Sequence, residues 1–251
     1  MFKKTICSMV FVATGLISIS ALADVVINGT RIIYNAKDKE SIVQLKNNGK
    51  NPYLLQLWMD DGDVKAKPGQ SKVPFIITPP VIRIDPNKGQ ALRIMAANPA
   101  LPQDRETLYW FNMLEVPPKP TTMIQSGSNL IQLAFRTRIK FFYRPDNLPQ
   151  TPLEAYRNIS FELRGNTLNV KNSSPYFITF SSIDVRKAKD SPAVASVEKF
   201  PRRMIEPKGE LNLQLTKKRA DSLYGLTLFY SVINDFGGNT KNEQMLRSPQ
   251  N

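Results

Sequence analysis

The chain has 251 residues, with 34 Lys or Arg against 21 Asp or Glu, so it carries +13 with no His at all. At 41% hydrophobic and 22% charged residues, it is neither a disordered polyampholyte nor a multi-pass membrane protein. The lack of His excludes Ser-His-Asp and Cys-His catalysis, an HExxH zinc site and any imidazole proton shuttle.

The N-terminus reads as a secretory signal peptide over residues 1–23. Lys3 and Lys4 form the positive start, residues 7–20 are mostly apolar, and Ala21-Leu22-Ala23 is a small-residue cleavage site. The stretch is short and broken by Gly15, which argues against a permanent anchor. Cleavage would start the mature chain at Asp24 and lower the charge from +13 to +11, because Lys3 and Lys4 leave. Cys7, the only cysteine, leaves too. Disulfides, thiolate metal sites and cysteine nucleophiles are therefore not expected in the exported protein.

In chain order, strands are expected at residues 41–45, 53–58, 91–95, 108–114, 131–143, 167–170, 176–180, 211–215 and 225–232. Each is rich in β-branched and aromatic residues, alternates with polar ones, and is cut by Pro, Gly, Asn or Asp. Short, evenly spaced strands suggest β-sandwiches. A weak repeat supports two of them. Leu45-Lys46-Asn47-Asn48 leads to Pro52-Tyr53, and Val170-Lys171-Asn172-Ser173 leads to Pro175-Tyr176. Ile84-Asp85-Pro86 precedes Gly89, and Ile205-Glu206-Pro207 precedes Gly209. The same order at similar spacing points to two related units. Residues 144–152 have linker composition, which divides the mature chain into residues 24–147 and 148–251.

Residues 129–143 form the most informative stretch. Ile131, Leu133 and Phe135 recur at spacing two, one apolar row on one face of a strand. Such a row ordinarily faces its own core. A long strand behind a polar lead-in can instead run past its sheet as an edge that needs a partner. Arg31 and Lys140 are cations within apolar strands, costly to bury without an anion unless they snorkel. Asp60-Asp61-Gly62-Asp63 reads as a polar hairpin loop, since it lacks the calcium-loop pattern. Arg202-Arg203 and Lys217-Lys218-Arg219 read as solvated turns, and Asn28-Gly29-Thr30 as a turn. The basic charge raises nucleic acid as a partner, but no nucleic-acid motif is present and export argues against it.

The stretch from Leu101 through Arg105, Glu106 and Trp110 to Pro118, LPQDRETLYWFNMLEVPP, closely resembles the signature of the periplasmic pilus (fimbrial) chaperone family. Blocks around Arg31, Thr78-Pro79-Pro80, Arg138-Ile139-Lys140, Asn172 and Asn234-Asp235-Phe236-Gly237-Gly238 are similar as well. The resemblance implies an all-β protein of two immunoglobulin-like sandwich domains in a boomerang, the first of them binding pilin. It implies a periplasmic chaperone, not an enzyme, that caps pilus subunits by donor-strand complementation and delivers them to an outer-membrane usher. No catalytic residue, metal, cofactor or ATP is expected, and an exposed edge leaves self-capping as a dimer open. By resemblance, Arg31 and Lys140 bind the pilin C-terminal carboxylate. Asn129, Ile131, Leu133 and Phe135 belong to the donor strand. Glu106, Arg144 and Asp235 are the interdomain ionic set.

Lys140 and Phe135 have opposite parity, so a bulge, a bend or contact with both faces is required for both roles. The chain lacks the cysteine pair of the long-loop subfamily, which favours the short-loop class that assembles rod-like pili. The alternatives are a structural pilus subunit or secreted binding module, and a secreted carboxylate hydrolase for which no site can be nominated. The cation pair and the two similar halves argue against a pilus subunit.

Overall fold

A computed structural model describes residues 24–97, 100–119, 131–217 and 222–248. The signal segment, the lead-in through Asn129, Lys218 and Arg219 lie outside the described residues. The first half contains β1 (Val25–Ile27), β2 (Arg31–Asn35), β3 (Ser41–Asn47), β4 (Tyr53–Asp60), β5 (Phe75–Thr78), β6 (Val81–Ile84), β7 (Gly89–Ala96), β8 (Thr107–Val116) and β9 (Phe135–Arg144). They form a four-stranded sheet, β1-β3-β7-β5, and a five-stranded sheet, β2-β9-β8-β4-β6. The pairings are antiparallel except for β2, which runs parallel to β9.

The alternation read from sequence sorts the side chains between faces. In β2, Ile32 and Tyr34 point into the first core, and in β9 Phe141 and Tyr143 do so. Phe75 of the opposite sheet meets the Phe141 ring at 4.7 Å and the Tyr34 ring at 5.5 Å, edge to face.

The second half contains a short helix, α1 (Pro152–Arg157), followed by β10 (Ser160–Arg164), β11 (Thr167–Lys171), β12 (Ile178–Arg186), β13 (Ala195–Ser196), β14 (Met204–Ile205), β15 (Glu210–Gln214), β16 (Thr216–Lys217), β17 (Thr227–Ile233) and β18 (Asn239–Met245). Sheet β10-β11-β15 packs on sheet β16-β13-β12-β17-β18, with β14 pairing β12. A separate core, including Leu168, Ile178, Phe180 and Tyr230, fills the space between them. The chain is thus two immunoglobulin-like sandwiches in succession. The linker composition hid the helix. Thr151 caps it by accepting from the Glu154 amide, while Glu154 accepts from the Thr151 amide, a reciprocal capping box with Pro152 in the first turn.

The repeat is physical. Asn47 and Asn172 are both buried. Asn47 Nδ2 donates to the carbonyls of Asn51 at 2.8 Å and Ile84 at 3.1 Å. Asn172 Nδ2 donates to Tyr176 at 2.7 Å and Glu206 at 2.8 Å. The two turns that follow carry Asn87 and Lys208 in the left-handed region, at φ 59° and 57°. The recurring residues therefore staple the same turn against the same neighbour in each sandwich.

Two expectations fail locally. Residues 131–143 are not one strand, because pairing begins at Phe135. Asp60 is not in a loop. It ends β4 with a fully buried side chain, because cations on β9 neutralise it.

Candidate functional site: a strand edge and two cations

β9 pairs with β8 from Phe135 to Tyr143 without a register break. On its other side β2 covers only Lys140 to Arg144. Among the described residues, the edge of β9 from Phe135 to Ile139 therefore has no strand partner on that side. This is where Arg31 stands. It is the first residue of β2 and lies in register with Lys140.

The unbroken register settles the parity question without a bulge. Phe135 shares its face with Ile139, Phe141 and Tyr143, the core face. Leu133 and Ile131 continue the spacing beyond the start of the strand. Exposure rises along the row, from 38% at Phe135 to 61% at Leu133 and 89% at Ile131. The row keeps the parity of the core face but runs past the end of its own core. Lys140 and Arg31 occupy the opposite face, with Phe142 and Arg144.

Among the described residues, neither cation of the pair makes an ion pair. Arg31 Nη1 donates to the Ile233 carbonyl at 3.0 Å, and its Nε is buried without an acceptor. Lys140 Nζ stands 5.9 Å from the centre of the Trp110 ring. Burial lowers the pKa of both; Tyr156, Asp235 and Glu106 oppose it at Arg31 without overcoming it, whereas the Arg31 charge lowers that of Lys140 further. Two like charges partly withdrawn from water, with no ion-pair partner among the described residues, make a site that favours an anion.

Arg144 has the opposite environment. Its Nε donates to Glu106 at 2.8 Å, and its two terminal nitrogens grip Asp235 at 2.7 and 2.9 Å. Glu106 is almost fully buried and also accepts from the Phe177 amide at 2.8 Å. Glu106, Arg144 and Asp235 thus meet where the two sandwiches touch. Only about 10 Å³ remains open between these residues and the inner side of Arg31, so an anion would have to meet Arg31 from the Lys140 side. Sequence reading missed a companion pair, Lys208 to Asp104 at 2.7 Å, and the Glu106 amide donating to Pro175 at 2.9 Å. Nothing local marks either contact, since each joins residues of different sandwiches.

A second network was also missed. Arg136, Arg138 and Lys140 alternate with the core row and line the outer face of β9. Arg138 pairs with Asp60 and lies 4.0 Å over the Trp110 ring. Arg136 donates to Asn112 Oδ1 at 2.7 and 3.0 Å and lies 4.8 Å over Trp58. Asn112 donates to Asp60 at 2.8 Å. The sequence signal was available: basic residues at spacing two, with two Trp residues ahead of them in the chain. A larger hollow, about 500 Å³, lies on the outer face of β12, β17 and β18. Its Arg186, Lys189 and Lys241 are matched by Asp184, Asp190 and Glu243, so it does not select a charge.

Two family models match the chain: "Pili and flagellar-assembly chaperone, PapD N-terminal domain" over residues 24–149, and "Pili assembly chaperone PapD, C-terminal domain" over residues 154–244. The chain belongs to the pilus-assembly chaperone family. This chaperone is 42% identical to the probable fimbrial chaperone YadV of Escherichia coli K12 over 242 residues, covering 94% of this chain and 95% of the relative. It is 41% identical to the chaperone protein FimB/FhaD of Bordetella pertussis over 226 residues, covering 88% of this chain and 87% of the relative. The crystal structure of the YadV chaperone superposes with a TM-score of 0.71 at 39% identity, over 89% of this chain and all of that one. The structure of Salmonella enterica SafA pilin in complex with the SafB chaperone matches with a TM-score of 0.70 at 27% identity, over 90% of this chain and 97% of that one. Membership implies a non-enzymatic role for the chaperone.

Proposed function

We propose that this chaperone, exported to the periplasm once residues 1–23 are removed, binds a pilus subunit by lending it the unpaired edge of β9. The observation that carries the reading is the register of Arg31 with Lys140 at the closed end of that edge. A subunit lacking one strand exposes unpaired N–H and C=O groups along an apolar groove, both costly in water. The edge of β9 supplies the missing ladder. Ile131, Leu133 and Phe135 fill the groove, and each contributes about 1.5–3 kcal/mol if fully buried. A terminal carboxylate at Arg31 and Lys140 gains charge-assisted hydrogen bonds worth about 1.5–3 kcal/mol each.

The geometry gives this guest a direction. A strand whose C-terminus meets the first residue of β2 continues the line of β2, and so runs parallel to β9. The anchor sets the register and the row supplies adhesion, since a slip by one residue would turn every apolar side chain to the wrong face. Both faces of β9 are then used, and Lys140 and Phe135 act together without a bulge.

The domain boundary belongs at residues 147/148, ahead of α1, with the edge in the first domain and Glu106, Arg144 and Asp235 holding the second. The captured subunit is then delivered to an outer-membrane usher, the partner that the family resemblance implies. No nucleotide site was found in the sequence, so release is driven by exchange of β9 for a strand of the next subunit. Recovery of the complex from periplasm, with the chaperone and a candidate pilin co-expressed, tests the reading. A chaperone that folds but recovers no pilin overturns it.

A further inference from the structure

Arg31 and Arg144 sit on the same face of one sheet, yet they are treated in opposite ways. Arg144 holds two carboxylates, whereas Arg31 holds one backbone carbonyl, that of Ile233. Ile233 ends β17, and the next five residues turn tightly into β18. Asn234 holds that turn. Its Oδ1 accepts from the amides of Phe236 at 3.1 Å and Gly238 at 3.0 Å. Its own amide donates to the Gly238 carbonyl at 2.8 Å, and the Gly237 amide donates back to the Asn234 carbonyl at 3.0 Å. Gly237 adopts φ 81°, and a Cβ there would come within 2.5 Å of Thr30 Oγ1, one residue before Arg31. Asp235, in the same turn, is committed to Arg144.

We propose that this turn of the second domain positions Arg31: the Ile233 carbonyl fixes the guanidinium without pairing it with an anion, while both carboxylate oxygens of Asp235 are engaged by Arg144. The inference rests on the reading of Arg31 as the carboxylate anchor. Its chemistry is specific. A carboxylate in place of the carbonyl would orient Arg31 equally well but would cancel the charge that a guest terminus needs. A carbonyl carries only a partial charge, so it occupies one donor and leaves the cation available. The second domain then contributes to capture although it supplies no part of the donor edge.

The test separates positioning from folding. The probe is a short, N-terminally labelled synthetic peptide of alternating valine and threonine, made once with a free C-terminal carboxylate and once as the amide. Its affinity for the full chaperone is measured by fluorescence anisotropy. The wild type is expected to prefer the acid by roughly tenfold or more. Asn234→Ala, which removes the staple, and Gly237→Ala, which pushes the turn off Thr30, are expected to shrink that preference several-fold with amide binding unchanged. A parallel loss for acid and amide, or an unchanged ratio in both variants, overturns the proposal and leaves the anchor standing. A wild type indifferent to the terminal group overturns the anchor reading itself, and the proposal with it.

Discussion

Arg31 and Lys140 face one another across the parallel β2–β9 pairing, two partly buried cations with no carboxylate between them. The Lys140 charge adds little to folding, since desolvation and repulsion from Arg31 both oppose it. Lys140→Met is therefore expected to leave the melting temperature unchanged or raise it, while pilin capture falls by about 2–5 kcal/mol. Arg31→Ala should weaken capture to a similar extent. Calorimetry beside co-purification reads both arms. The Lys140 ammonium titrates below its unfolded value. Its penalty is thus fully present below the folded-state pKa and is relieved as pH rises through that value towards the unfolded one. The stability difference between wild type and Lys140→Met should narrow over that alkaline range.

Leu133 is 61% exposed. Leu133→Glu should change folding stability by no more than about 0.5 kcal/mol, yet it places a charge in the middle of the apolar row. Pilin recovery should fall sharply while the thermal melt is unchanged. A large drop in melting temperature would mean that the row packs inside its own sandwich.

Asp60 is the acid-sensitive point of the first domain. Burial raises its pKa, but hydrogen bonds from Arg138, Asn112 and the Gly62 amide outweigh burial and hold it below the ordinary carboxylate value. Its contribution is present above the unfolded carboxylate value and is lost as pH falls through the folded one. Asp60→Asn leaves Arg138 without its anion and should cost about 3 kcal/mol in urea denaturation near neutral pH. The cost should shrink under acid conditions in which the wild type also protonates Asp60.

Arg144→Met strands the Glu106 carboxylate in a buried site, which should cost about 3–5 kcal/mol. Adding Glu106→Gln removes the stranded charge and should recover part of that loss. Capture should suffer even where Arg144→Met remains folded, because Asp235, released from Arg144, is free to turn towards Arg31. Urea titrations of the single and double variants, with pilin recovery alongside, check both points.

Asn47→Ala and Asn172→Ala each leave two carbonyls without their donor. Losses of about 1–3 kcal/mol are expected in each case, and similar in size, since the two asparagines make matching bonds in the two sandwiches. Separate unfolding transitions followed for each variant would show which sandwich each asparagine supports.

Much of the fold was legible because its determinants are local. Asn47 and Asn172 with their Pro-Gly turns announced two units, and period-two alternation marked most of the longer strands. Weakly patterned segments escaped, such as β18, whose residues are mostly polar, and α1, whose capping box was buried in linker composition. At the site, the row of Ile131, Leu133 and Phe135 was visible as a row, but its destination was not. Whether such a row lies inside or beyond its sandwich depends on where β2 stops covering β9. The roles of Arg31, Lys140, Glu106, Arg144 and Asp235 came from resemblance. Asp60 was misplaced because its partner, Arg138, lies 78 residues along the chain.

By itself, the order of residues determined two sandwiches, the turns that close them and the existence of an alternating apolar ridge, since each depends on neighbours a few positions apart. Only the tertiary structure decided which cations are satisfied. Arg144 received two carboxylates and Arg31 a single carbonyl because charge neutralisation depends on distances between strands and between sandwiches, and separation along the chain says nothing about those distances.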